Sequence, residues 1–364
     1  VIALRLLAVA LVATACGGQP GRPGASSAPA AADKLYVVNQ GGASISVIDQ
    51  ARLAVDTVLD LTAMGFSTNA KPHHIAVERD GSAWYVSLIG DNRVLKFDRA
   101  NRLLGQVTLE TPGLLSLDPV HDSLYVGRSM TAVNPPRALG VIKRSTFTLV
   151  DEHEILVTRP HALAVTPDGK WIHAASLAEN RFATVEVATG RVTLTDIAGA
   201  PRSLVQFTVS HDGRTMVAGG ELSNTLFFFD ATARPPLTPM REVAVGGKPW
   251  DPVFSPDSRT VYVTLLADNA VAEVDVATGA VRRTFTGKLA QPYGAVLRRD
   301  GAVLFVVNQN SGAMKPGESG HEAHGMAHSS TEGWLTMIDT RTGAVLGTLM
   351  LGAGPTGAGA AWGR

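Results

Sequence analysis

KPHHIAVERDGSAWYVS (71–87), RPHALAVTPDGKWIHAAS (159–176), KPWDPVFSPDSRTVYVT (248–264) and QPYGAVLRRDGAVLFVVN (291–308) are copies of one pattern. In each, a proline opens a short apolar run, a turn follows, and a second apolar run closes the segment. Looser copies open at Pro112, Pro201 and Pro355, so that with Pro72, Pro160, Pro249 and Pro292 the pattern recurs seven times, mostly at steps of about 40 to 50 residues. Self-similarity at that period means one supersecondary unit repeated in an array.

The chemistry of the unit specifies strands. Runs such as Ile75-Ala76-Val77 and Trp84-Tyr85-Val86 are short, apolar and rich in β-branched or aromatic residues. Between them lie Asp80-Gly81, Asp168-Gly169, Asp212-Gly213 and Asp300-Gly301, where glycine supplies the positive φ of a tight hairpin. Two further strands complete each unit, as in Val271–Val276 and Val281–Phe285 around the turn Ala277-Thr278-Gly279. An acidic residue stands four places before the turn glycine in Glu186…Gly190, Asp275…Gly279 and Asp339…Gly343.

Four antiparallel strands per unit describe a blade, and the expected fold is all-β, a seven-bladed β-propeller. A lone blade leaves both faces apolar; stacking around an axis buries them. Residues 34–61 supply outer strands with no inner strand before them, and 354–362 an inner strand with nothing after it, so both termini should build the closing blade. A sandwich or an open solenoid would also show short regular strands, but neither explains complementary half-units at the two ends.

The formal net charge is +0 and the pI near 7.3. Nothing in that balance asks for nucleic acid or an anionic membrane surface. Residues 2–15 are apolar apart from Arg5 and Thr14 and end in small residues, as the hydrophobic region of an export signal does. Cys16, the only cysteine, follows Ala13-Thr14-Ala15 and precedes Gly17-Gly18. This resembles a bacterial lipoprotein cleavage box, with Ala13 where that pattern prefers leucine. The resemblance implies a signal peptide over 1–16, lipidation of Cys16, and a periplasmic or cell-surface protein whose membrane contact is that lipid. An ordinary secretory signal cut after Ala15 is the alternative, and it too leads out of the cytoplasm. Residues 17–33 carry no large apolar side chain and form a tether expected to be disordered, leaving 34–364 as the propeller.

The second strands read YVVN (36–39), YVSL (85–88), YVGR (125–128), YVTL (262–265) and FVVN (305–308), and Asp-Asn precedes the third strand at Asp91-Asn92 and Asp268-Asn269. Over residues 34–362 the chain resembles the YVTN-type propeller family, which includes YncE-like periplasmic proteins and archaeal surface-layer repeats. That resemblance implies the fold and a binding role; YncE-like relatives are associated with binding, including of single-stranded DNA, which the neutral charge here does not support. The unit opened by Pro112 departs most, with Gly113-Leu114 after the proline and Lys143 in place of an acidic residue.

Each inner strand starts after its proline, so the residues that follow should face one mouth of the central channel. These are His73, Gly113, His161, Arg202, Trp250, Tyr293 and Thr356, with His74 and Asp251 adjacent. Imidazoles, a guanidinium, aromatics and a carboxylate at one funnel suit a small molecule or a metal. The alternative is that they pack the blades, each imidazole bonded to a neighbouring backbone carbonyl. A second cluster lies in the insertion 310–333, where His321, His324, His328 and Met326 form a donor set suited to copper or zinc. Its alternative is a solvated loop. Nucleophile-elbow, phosphate-loop and haem-attachment motifs are absent from the sequence. Three functions follow: an exported module that binds a protein or small-molecule ligand at the funnel, a metal-dependent oxidoreductase or lactonase-type hydrolase using the funnel histidines, or a copper handler using the loop.

Overall fold

The computed structural model describes residues 33–128, 134–312 and 331–361. Seven four-stranded antiparallel sheets follow one another along the chain. Blade 1 joins Pro355–Ala360 to Lys34–Asn39, Ser44–Asp49 and Ala54–Asp60, so the closing blade is built from both ends as its half-units require. The other six blades begin with the inner strands Pro72–Val77, Leu115–Leu117, Pro160–Val165, Leu204–Val209, Pro249–Phe254 and Pro292–Leu297, and are numbered 2 to 7 in that order. Each inner strand touches the next, and that of blade 7 touches that of blade 1, which closes the ring.

The turn chemistry is as the sequence requires. Gly81, Gly169, Gly213 and Gly301 all have positive φ, between +67° and +74°. In the outer hairpins the acidic side chain caps its own turn: Asp275 Oδ1 accepts from the Thr278 amide at 2.7 Å and Asp339 Oδ1 from the Thr342 amide at 2.7 Å.

Packing explains why the blades need each other. Seven apolar clusters among the described residues each span one interface between successive blades. At the junction of blades 1 and 2, Trp84 is fully buried, with ring centroids 4.5 Å from Tyr36 and 4.2 Å from Phe97. Truncating such a side chain costs roughly 3–5 kcal/mol. Nearest the axis the backbones themselves pack: a Cβ on Gly357 would lie 2.5 Å from the His73 carbonyl oxygen, and one on Gly294 2.5 Å from that of Thr356.

Candidate functional site

The inner strands are entered through a repeated device. The residue before each has positive φ: Lys71, Arg159, Ser203, Lys248, Gln291 and Gly354 directly, and Thr111 ahead of Pro112 in blade 3. A neighbouring asparagine latches several of these entries. Asn92 Oδ1 accepts from the Thr111 amide at 2.8 Å, Asn224 Oδ1 from Lys248 at 3.0 Å, and Asn269 Oδ1 from Gln291 at 2.7 Å. The Asp-Asn signature that carried the family resemblance therefore marks a blade-to-blade latch at Asn92 and Asn269, with both asparagines themselves at positive φ.

The same device corrects one expectation. In blade 5 the residue of positive φ is Ser203, and Leu204 pairs with Gly220 as Pro72 pairs with Leu88. Pro201 thus lies three residues ahead of the strand-opening position, and Arg202 does not reach the channel. Its guanidinium sits over the Phe227 ring at 5.2 Å, donates to the Ala198 carbonyl at 3.1 Å and lies 3.6 Å from Glu242. Val205 takes the strand position expected for it, and Gln206 joins the channel lining instead.

His73, His74, His161, Trp250, Asp251 and Tyr293 do converge on the ring axis where the inner strands begin. They are 2–5% exposed. The space they enclose is about 20 Å³, room for about one water molecule. Several polar atoms here are tied to adjacent blades. His161 Nδ1 donates to the Val205 carbonyl at 2.6 Å, the arrangement in which an imidazole bonds a neighbouring backbone; His74 Nδ1 instead accepts from the Leu115 amide at 3.2 Å. His73 Nδ1 lies 3.4 Å from Gln40 Oε1, and Asp251 Oδ2 accepts from the Ala295 amide at 2.8 Å. The Trp250 and Tyr293 rings are 4.6 Å apart. Burial pushes His73 down to about 4, so its ring is neutral at physiological pH, and burial, then Glu221 and Asp251, hold the Tyr293 phenol well above its ordinary value.

Among the described residues no group of three or more His, Cys, Asp or Glu side chains is placed to hold a metal ion. His321, His324, His328, Met326 and Cys16 lie outside the described residues.

Beyond His74 and Gln206 the channel widens into a cavity of about 280 Å³ that six of the seven inner strands line. The sequence reading missed this chamber. Ile75, Leu117, Leu163, Phe207 and Val209 line it together with the polar Ser116, Gln206, Thr208 and Ser210. Its far end carries Glu78, Arg79, Asp118, Arg144 and His211. Arg144 Nη1 donates to Glu78 at 2.7 Å, and Tyr85 Oη donates to the same carboxylate at 2.8 Å. Partial burial, and next the charge of Arg79, hold His211 below its ordinary value. A signal for this rim was available: Arg79 and His211 each stand directly before the Asp-Gly turn of their repeat.

No family model matches the chain, and no curated protein matches it in sequence. Solved structures match the fold. A functionally unknown protein from Desulfotomaculum acetoxidans is 14% identical with a TM-score of 0.71, over 90% of this chain and 98% of that one. A candidate 6-phosphogluconolactonase from Bacteroides uniformis is 14% identical with a TM-score of 0.66, over 90% and 99%. The hydrazine synthase of Kuenenia stuttgartiensis is 17% identical with a TM-score of 0.61, over 79% and 89%. All three are what this chain is similar to in architecture, that of a seven-bladed β-propeller.

Proposed function

We propose that this chain is an exported binding propeller of the YVTN type, held at a membrane through Cys16, which seats a small molecule on its ring axis. The export signal and the cysteine after it support the location; the YVVN-like second strands support the family. The observation that carries the binding role is the chamber of about 280 Å³, close in size to ordinary ligand pockets and walled by the inner strands of nearly every blade. The histidine collar closes this chamber at one end, and ligand enters from the other. Propellers serve many roles on one architecture, so the argument rests on the site.

Native mass spectrometry of the purified protein tests this reading. Ala76 is half-buried and lines the chamber, so Ala76→Phe fills it. The expected result is a bound small molecule on the wild type that the folded Ala76→Phe protein lacks. A ligand retained in full by that variant places binding elsewhere and refutes the reading.

A further inference from the structure

One side chain of the channel differs from its equivalents in the other blades, and what it leaves open bears on the kind of molecule the chamber takes; this step rests on the binding role proposed above. The inner strands share a register. Ile75 lies opposite Val86, Leu115 opposite Val126, Phe207 opposite Ala218, Pro252 opposite Val263 and Ala295 opposite Val306, each at the same step of its blade. The residue just before that step is polar in three blades: His74 in blade 2, Gln206 in blade 5 and Asp251 in blade 6.

Two of the three spend the side chain on the next blade. His74 Nδ1 accepts from the Leu115 amide at 3.2 Å, and Asp251 Oδ2 accepts from the Ala295 amide at 2.8 Å. Gln206 has no such donor, because the matching residue of the next inner strand is Pro252, which carries no N–H. The result is a buried carboxamide left over. Gln206 is 6% exposed, lines both the collar space and the chamber, and makes no side-chain hydrogen bond among the described residues. Thr208, two residues on along the same face of the strand and also buried, makes none there either.

Buried polar groups without partners are costly and call for an explanation. The carboxylates at the chamber's far end need none. Glu78 accepts from Arg144 at 2.7 Å and from Tyr85 at 2.8 Å, and Asp118 accepts from the amides of Val120 at 2.9 Å and His121 at 2.8 Å. What the fold leaves open is thus an uncharged donor–acceptor group at the inner end, in a chamber that Ile75, Leu163 and Phe207 also line.

We propose that the chamber binds an uncharged organic molecule through an amide-like edge, that of a carboxamide, lactam or ureide, paired with the Gln206 carboxamide. A side-chain amide presents a C=O acceptor and N–H donors on one planar group, so it meets such an edge with two hydrogen bonds. Neither partner brings a charge into the interior, where an unpaired one is costly.

Titration with benzamide, acetophenone and benzoate, followed by NMR, tests the edge while the ring stays fixed. Acetophenone lacks the N–H donors, and benzoate replaces them with a charge. Benzamide is expected to bind about fivefold or more tighter than either, the range of one neutral hydrogen bond. Gln206→Met, which keeps the length of the side chain, should erase that preference. Pro252→Ala restores an N–H beside Gln206 and should weaken benzamide by about threefold or more, an effect that a purely structural Gln206 would not produce. Equal binding of benzamide and acetophenone, tighter binding of benzoate, no binding of any probe, or a preference that survives both substitutions overturns the amide edge. In each of those cases Ala76→Phe separates the two claims: a co-purified ligand lost from that variant keeps the chamber as a site, and one retained takes the chamber reading down as well.

Discussion

The two ends of the central channel are built from the same seven inner strands and come out as opposites. Where the strands begin, large side chains meet at the axis: His73, His161, Trp250 and Tyr293 are 2–5% exposed around about 20 Å³. Where they end, small or half-exposed residues such as Ala76, Ser116 and Ala361 surround about 280 Å³. Backbones approach closely at the first end, as Gly294 and Gly357 show, so any side chain pointing inward fills the axis there. The histidine cluster that the sequence singles out therefore marks the seal, and the ligand's room lies beyond it. Density of functional groups and space for a substrate are separate properties of a ring.

If the collar is a seal, perturbing it should change stability and leave binding alone, while the wide end should behave the other way. The largest effect should come from acid. His73 at the collar and His173 in the core between blades 4 and 5 are both pushed by burial from 6.5 to about 4. Between those values the unfolded chain takes up protons that the folded chain refuses. Their contribution is thus complete above about pH 6.5, falls as pH drops towards 4, and amounts to about 3 kcal/mol for each ring. Urea denaturation at pH 7 and 4.5 measures it, and His73→Gln should shrink the difference in stability by about 2–3 kcal/mol. A pH dependence unchanged in that variant would show that the collar imidazole does not resist protonation.

Next in size is His161→Ala, which strands the buried Val205 carbonyl and empties part of the collar. The expected loss is about 2–4 kcal/mol of stability. Any ligand that co-purifies with the wild type should be retained by the protein that remains folded; its loss would move the site to the collar. Asn269→Ala removes the bond to the Gln291 amide at the entry of blade 7 and should cost about 1–2 kcal/mol by urea denaturation.

Much of this architecture was legible in the sequence. The Asp-Gly turns fixed the hairpins, and the half-units at 34–61 and 354–362 fixed closure, because each depends on local chemistry or on counting. Convergence of His73, His74, His161, Trp250, Asp251 and Tyr293 followed once the ring was known. Arg202 went astray because proline was used as the marker of strand entry. The true marker is a left-handed residue, here Ser203, and backbone handedness at a serine leaves no trace in composition. Gln206 was hidden by the same three-residue offset. The wide chamber was illegible for another reason: its wall is the ordinary inner-strand run of the repeats, and only the curvature of the ring turns those runs into a cavity.

Thiol accessibility measures the asymmetry of the channel directly. With Cys16→Ser as background, the chain has no other cysteine. Single substitutions Ser116→Cys, half-buried at the wide end, and Thr356→Cys, fully buried at the collar, then report on the two ends. The account predicts that iodoacetamide modifies the first under native conditions and the second only after unfolding. Comparable native rates at both positions would contradict a channel sealed at its histidine end.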